Sequence, residues 1–135
     1  MKWVFNDGGR SNYFSAKSVN DCVVRAIAIA TQRDYNDVYN TIGEIVGYSP
    51  RNGVYRNDLQ KIMKEFGGTW TPCMSIGSGC KVHLKDGELP MDARLICNVS
   101  KHLTCVINGV INDTFDPSRG ESRCVYGYWI FNNNN

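Results

Sequence analysis

The dipeptide Asn108-Gly109 is the sequence feature that most constrains the fold, because it fixes how two strands pair. It lies between the alternating apolar runs "HLTCVI" and "VINDTF". Asn-Gly favours a two-residue type I′ turn, whose twist matches that of the strands it joins. The resulting register places Thr104 opposite Asp113 in a predicted β-hairpin.

The same register brings a histidine near a carboxylate. Side chains alternate between the two faces of a strand, so His102 shares a face with Thr104 and Asp113. Asp113 is the diagonal neighbour of His102, with Cβ atoms roughly 7–8 Å apart or somewhat less. Asp116 points the other way. We therefore predict that Asp113, and not Asp116, can hydrogen-bond to the imidazole. The alternative is that the two residues form an ordinary surface ion pair with no catalytic role.

Three helices are predicted before the strand-like part of the chain. In the first, Asn20 or Asp21 can cap a helix that is apolar on nearly every face, which is typical of a helix buried on most sides. Arg25 is the exception and marks an outward-facing or partnered position. The second helix carries apolar residues at spacings of three and four. The predicted helices run from about Asp21 to Gln32, from Asp34 to Gly47 and from Asn57 to Gly67.

After Gly68 the chain changes to short β-branched or aromatic runs separated by Gly, Asp or Pro, a pattern that predicts strands. Residues 1–17 predict an N-terminal strand or arm followed by a loop. This order indicates an α+β domain over residues 1–131, with N-terminal helices packed on a C-terminal antiparallel sheet. The Asn tail at 132–135 is expected to be disordered. The runs predicted to be strands are "TWTPCMSI", "KVHL", "ARLICNV", "HLTCVI", "VINDTF" and "CVYGYWIF".

Charge and composition exclude some partners. The chain has 15 Lys and Arg against 13 Asp and Glu, a net charge of +2 that gives no case for nucleic acid as the main partner. No signal-like or membrane-spanning apolar run is visible, so we expect a cytoplasmic protein that does not enter membranes. In a reducing compartment all six cysteines are expected to be free thiols.

A cysteine lies at the predicted start of the first helix. There Cys22 would face unpaired backbone N–H groups and the positive end of the helix dipole. Both favour a thiolate, the nucleophilic form of cysteine. The Cys22 N–H could also help to bind an oxyanion. The alternative interpretation is simple packing, because free cysteines are often buried.

The run "NDCVVRAIAIAT", followed far downstream by "KHLTCVINGVINDTFDPS", resembles the papain-like cysteine peptidases. In layout it is most similar to the small bacterial and phage forms, including the double-glycine leader peptidases. The resemblance covers roughly residues 15–131. It implies that Cys22 is the nucleophile, His102 the general base and acid, and Asp113 the residue that orients the imidazole. It further implies a hydrolase that acts on a peptide or protein substrate without a cofactor, in the host cytoplasm if a phage encodes it.

The chain departs from the family at one position. The family carries a Gln a few residues before the Cys that donates to the oxyanion, whereas here Ala16 occupies that spacing and no Gln precedes Cys22. Asn20 or Ser18 could substitute, and Asn20 is preferred because its amide can donate. Loss of one such donor typically lowers the rate about 10²–10³-fold.

Two other functions remain open at this point. The first is a non-enzymatic interaction protein of phage type that keeps the fold with a weakened site and binds a host factor. The missing Gln favours it. The second is a zinc-binding module, although its spacing lacks the C-x2-C pairs of structural zinc sites. Its ligands would be Cys73, Cys80, His83 and Cys97.

Overall fold

The computed structural model describes residues 1–15 and 20–131. Within them the protein has an α+β fold of three α-helices and one six-stranded sheet. The predicted tail at 132–135 lies outside the described residues. The helices are α1 (Cys22–Thr31), α2 (Tyr35–Val46) and α3 (Leu59–Glu65), and the strands are β1 (Lys2–Phe5), β2 (Gly68–Pro72), β3 (Arg94–Val99), β4 (His102–Ile107), β5 (Val110–Asp113) and β6 (Gly127–Phe131).

The helices begin and end close to their predicted bounds. The Asp34 carboxylate caps α2 by accepting a hydrogen bond from the Asp37 N–H, and α2 ends at Gly47, whose φ of 81° few other residues adopt. The third helix starts later than predicted, because Arg56–Asp58 form a turn of 3-10 helix before α3. None of the helices in the described residues is long and apolar enough to cross a membrane.

The sheet has the strand order β1-β5-β4-β3-β6-β2. The predicted hairpin is present: Ile107 pairs with Val110, and Asn108 and Gly109 both have positive φ, as a type I′ turn requires. The C-terminal strands pair antiparallel, as predicted, but the sheet is mixed, because the N-terminal strand β1 pairs parallel with β5 from Lys2 to Phe5. These two strands are far apart in the chain, so no tight turn forces them to be antiparallel.

The predicted strand at "KVHL" does not form, and residues 73–93 have no regular strand or helix. One isolated bridge joins His83 to Cys124. The segment is held instead by backbone hydrogen bonds from Leu84 to Arg123 and from Val125 to Val82. Because Leu84 is fully buried, this irregular segment covers part of the sheet as a packed element.

The apolar residues form two clusters, one with the helices and one with the irregular segments. Alternation along β3 assigns neighbouring residues to different clusters: Ile96 packs with the helices, whereas Leu95 and Cys97 pack with Leu84 and Leu89. Val24 and Ile27 of α1 are fully buried in the first cluster. The buried packing of α1 fixes the place of its first residue, Cys22.

The prediction that all cysteines are free was wrong for one pair. The structure joins Cys80 to Cys124 as a disulfide, with Cα atoms 5.9 Å apart and a sequence separation of 44. The hydrogen bonds between the irregular segments bring these two cysteines together, which spacing in the sequence does not reveal. The four remaining thiols are Cys22, Cys73, Cys97 and Cys105.

The disulfide gives the first prediction. A bridge that closes a loop of this size should stabilise the fold by about 2–4 kcal/mol, so replacing Cys80 and Cys124 by Ser should lower the unfolding free energy by that amount in urea titrations. A Cys73→Ser variant, which leaves the bridge intact, is the control. Thiol counting in denaturant should find four thiols without reductant and six after reduction; six without reductant would contradict the bridge.

Candidate active site

Cys22 is the first residue of α1 and opens onto a cleft of about 1090 Å³. The first backbone hydrogen bond of the helix runs from the Arg25 N–H to the Asp21 carbonyl, at 3.0 Å. The N–H groups of Cys22 and Val23 therefore have no acceptor within the helix. Both residues line the cleft, and the Cys22 thiol is free and half-buried. The thiol and the first turn of α1 therefore lie on the same side of the cleft.

His102 is the first residue of β4, directly after the two-residue connection from β3. Its Nε2 lies 2.7 Å from Asp113 Oδ2. The Cys22 thiol lies near enough to the ring to raise the pKa of the imidazole. The Phe115 ring lies against the imidazole, with 5.0 Å between ring centroids. The imidazole thus has a bound carboxylate and a thiol as neighbours.

Asp113 ends β5 and is almost fully buried. Besides His102, its carboxylate accepts a hydrogen bond from Thr104 Oγ1 at 2.6 Å. Its backbone carbonyl accepts the Asn6 N–H, so β1 also holds the end of β5 in place. Asp116 takes no part in these contacts; its carboxylate accepts a hydrogen bond from the Ser118 N–H. The hairpin register therefore delivers Asp113, rather than Asp116, to the imidazole.

The protonation state of the pair follows from these contacts. Burial disfavours the charged imidazole, but hydrogen bonding and charge from Asp113 and Cys22 outweigh it and raise the pKa of His102 to about 9. For Asp113, burial acts to raise the pKa, yet the hydrogen bonds from His102 and Thr104 bring it below its usual range. At neutral pH the pair is an imidazolium and a carboxylate.

The sequence analysis missed a buried ion pair beside this site. Asp21 is fully buried and accepts hydrogen bonds from Arg25 and, at 2.6 Å, from the Tyr35 hydroxyl. Arg10 lies 3.5 Å from the same carboxylate, and the Arg25 guanidinium also lies 3.8 Å from Asp113. The four-residue spacing of an acid and an arginine in an otherwise apolar helix was the available signal.

The structure places only some of the other predicted site residues near Cys22. Asn20 is exposed and lines the cleft with Cys22, whereas Ala16 and Ser18 lie outside the described residues. The three cysteines and one histidine of the zinc alternative do not form a ligand set: Cys80 contacts His83 but is bonded to Cys124, and Cys97 is buried in β3. In residues 1–15 and 20–131, no group of three or more His, Cys, Asp or Glu could hold a metal ion.

Comparisons of the chain with protein-family models, with curated proteins and with solved structures found no match. The contacts of Cys22, His102 and Asp113 are the feature of the structure that points most directly to a function.

The raised pKa of His102 gives the second prediction. Its imidazole signals in an NMR titration should move with a midpoint near pH 9, and that midpoint should fall in Asp113→Asn and in Cys22→Ser, which each remove one stabilising partner. The ordinary value is 6.5, so the stability that the raised pKa of His102 contributes is complete below about pH 6.5 and is lost as the pH rises through about 9. A midpoint unchanged in Asp113→Asn would contradict this origin of the shift.

Proposed function

We propose that the protein is a papain-like cysteine hydrolase that cleaves a peptide or isopeptide bond through an acyl-enzyme on Cys22. The observation that carries the proposal is the position of His102, with the Asp113 carboxylate and the Cys22 thiol as neighbours. A nucleophile, a base and a residue that orients the base are the minimum set for this chemistry. The resemblance of the Cys22 and His102 segments to papain-like peptidases supports the same assignment.

In the first half of the reaction, the thiolate of Cys22 attacks the carbonyl carbon of the substrate. Because Asp113 engages Nε2 of His102, Nδ1 is the ring nitrogen left to exchange a proton with the sulfur. The imidazolium then gives its proton to the nitrogen of the leaving amine as the C–N bond breaks. The products of this half are a free amine and a thioester on Cys22.

In the second half, water attacks the thioester carbon while His102 accepts a proton from the water. The C–S bond then breaks and the acid leaves, which restores the Cys22 thiolate and the His102 imidazolium. Each half passes through a tetrahedral oxyanion. The N–H groups of Cys22 and Val23, which have no acceptor within the helix, are suited to bind it. Asn20 is the third candidate donor, since it lines the cleft and carries a side-chain amide. Asp113 keeps the ring in the tautomer that both halves require.

A second candidate function is an interaction protein that keeps this fold with weak or no turnover and binds a host factor. One observation favours it: no Gln precedes Cys22, so the donor that papain-like peptidases place there is missing. In that case the cleft is a binding surface, and the thiol need not be activated. The two candidates therefore differ in the reactivity of Cys22.

The third prediction tests that reactivity. Iodoacetamide labelling of the native protein from pH 4 to 9, with mass mapping of every cysteine, should show Cys22 reacting fastest of the four free thiols well below pH 8. His102→Ala should abolish the advantage. Asp113→Asn should reduce it less, because His102 remains in place and only its orientation and charge are weakened.

Cys73 is the internal control, because it is a half-buried free thiol on which no catalytic group acts and burial raises its pKa. Labelling of Cys22 at the rate of Cys73, or unaltered labelling of Cys22 in His102→Ala, would overturn the proposed hydrolase. The interaction protein would then become the favoured candidate. Equal losses in His102→Ala and Asp113→Asn would count against the orienting role of Asp113.

A further inference from the structure

The cleft beside Cys22 has a charge composition unlike that of the chain. Lys and Arg barely outnumber Asp and Glu in the sequence, at 15 against 13. Around the cleft, by contrast, the described residues contribute several cations and no Asp or Glu side chain. The cationic residues that line it are Arg10, Arg25, Arg56, Lys101, Arg119 and Arg123.

Two of these cations already have a carboxylate partner inside the protein. Arg10 and Arg25 both pair with the buried carboxylate of Asp21. The situation is different for Arg56, Lys101 and Arg119, which are exposed and make no ion pair with any residue in the described part of the chain. These three side chains supply free positive charge at the mouth of the cleft.

Arg123 differs from the other cations of the cleft because it is largely buried and has no carboxylate partner in the described part of the chain. It is 8% exposed, and its guanidinium donates to the backbone carbonyls of Ser100 and Pro117. Its Nε, like that of Arg10 and Arg25, is buried without a hydrogen-bond partner among residues 1–15 and 20–131. Burial and the nearby Arg119 cation both lower the pKa of Arg123. A largely buried guanidinium next to a second cation is an arrangement that a bound anion would stabilise.

The backbone presents two of the exposed cations in an uncommon way. Lys101 has φ 57° and Arg119 has φ 53°, a left-handed conformation that L residues other than Asn and Asp seldom adopt. Glycine would fit either position without strain. Strained positions of this kind concentrate at functional sites. Both strained residues here carry a positive side chain into the lining of the same cleft.

We propose that the cleft selects acidic peptides, in which Asp or Glu side chains flank the bond that Cys22 attacks. This inference rests on the proposed hydrolase and names its substrate class. Carboxylates suit guanidinium groups, which can bind both carboxylate oxygens at once. A nucleic acid would supply phosphates but no peptide carbonyl for the Cys22 thiolate, so a peptide is the partner that uses both features of the cleft.

The first test compares two alkylating reagents that differ in charge. Iodoacetate carries a carboxylate and iodoacetamide does not, so the ratio of their rates at Cys22 reports the local positive potential. In Lys101→Gln/Arg119→Gln this ratio should fall about three- to tenfold. Lys61→Gln/Lys64→Gln on α3 removes the same charge from exposed residues that do not line the cleft, and it should change the ratio less than about twofold.

The second test measures equilibrium binding and does not require a reactive thiol. Fluorescein-labelled peptides rich in Glu or in Lys, and an oligodeoxynucleotide of matched charge, are titrated with the Cys22→Ser protein and followed by anisotropy. The Glu peptide should bind at least about tenfold more tightly than the Lys peptide, and the cleft double variant should reduce that preference while the α3 double variant should not.

The outcomes separate this inference from the proposed reaction. Fast iodoacetamide labelling of Cys22 with no change of the reagent ratio in the cleft variant would keep the hydrolase and overturn the selectivity. Preferred binding of the Glu peptide with an unreactive Cys22 would keep the selectivity of the cleft and remove the hydrolase. Equal binding of the two peptides, or tighter binding of the oligodeoxynucleotide than of the Glu peptide, would overturn the inference.

Discussion

The buried ion pair between Asp21 and Arg25 holds the start of α1, and the candidate site depends on it. Asp21 immediately precedes Cys22, and its carboxylate is fully enclosed by Arg25, Arg10 and Tyr35. Removing one partner from such a pair typically destabilises a protein by about 3–5 kcal/mol, because the other charge stays buried. Arg25 also reaches toward Asp113 on β5. The pair therefore couples the helix that carries the thiol to the strand that carries the carboxylate.

The parts of the fold that local chemistry determines could be predicted from the sequence. Asn108-Gly109 predicts both the hairpin and its register, since a type I′ turn requires positive φ at both residues. The parallel pairing of β1 with β5 could not be predicted, because no local signal joins segments about a hundred residues apart. The Cys80–Cys124 bridge was missed for the same reason. It depends on packing of the irregular segment against the sheet, which leaves no periodic pattern.

In the candidate site, too, some features follow from local sequence and others depend on tertiary packing. The contact between His102 and Asp113 follows from hairpin register, and the place of Cys22 follows from the helix start. What the sequence does not contain is the approach of the helix to the hairpin, which depends on tertiary packing. The positive cleft is a further case. A nearly neutral chain gives no sign that Lys101 and Arg119, on different loops and both at strained positions, line one cleft.

The most direct measurement of the central claim is acylation of Cys22 by a simple activated ester. On mixing with excess p-nitrophenyl acetate, the account predicts a burst of p-nitrophenolate about equal to the protein concentration, with the acetyl group found by mass spectrometry as a thioester on Cys22. Slower release after the burst would report hydrolysis of that thioester. No burst, or acetyl groups spread over Cys22 and Cys73 at similar rates, would contradict the claim that His102 and Asp113 make Cys22 a nucleophile.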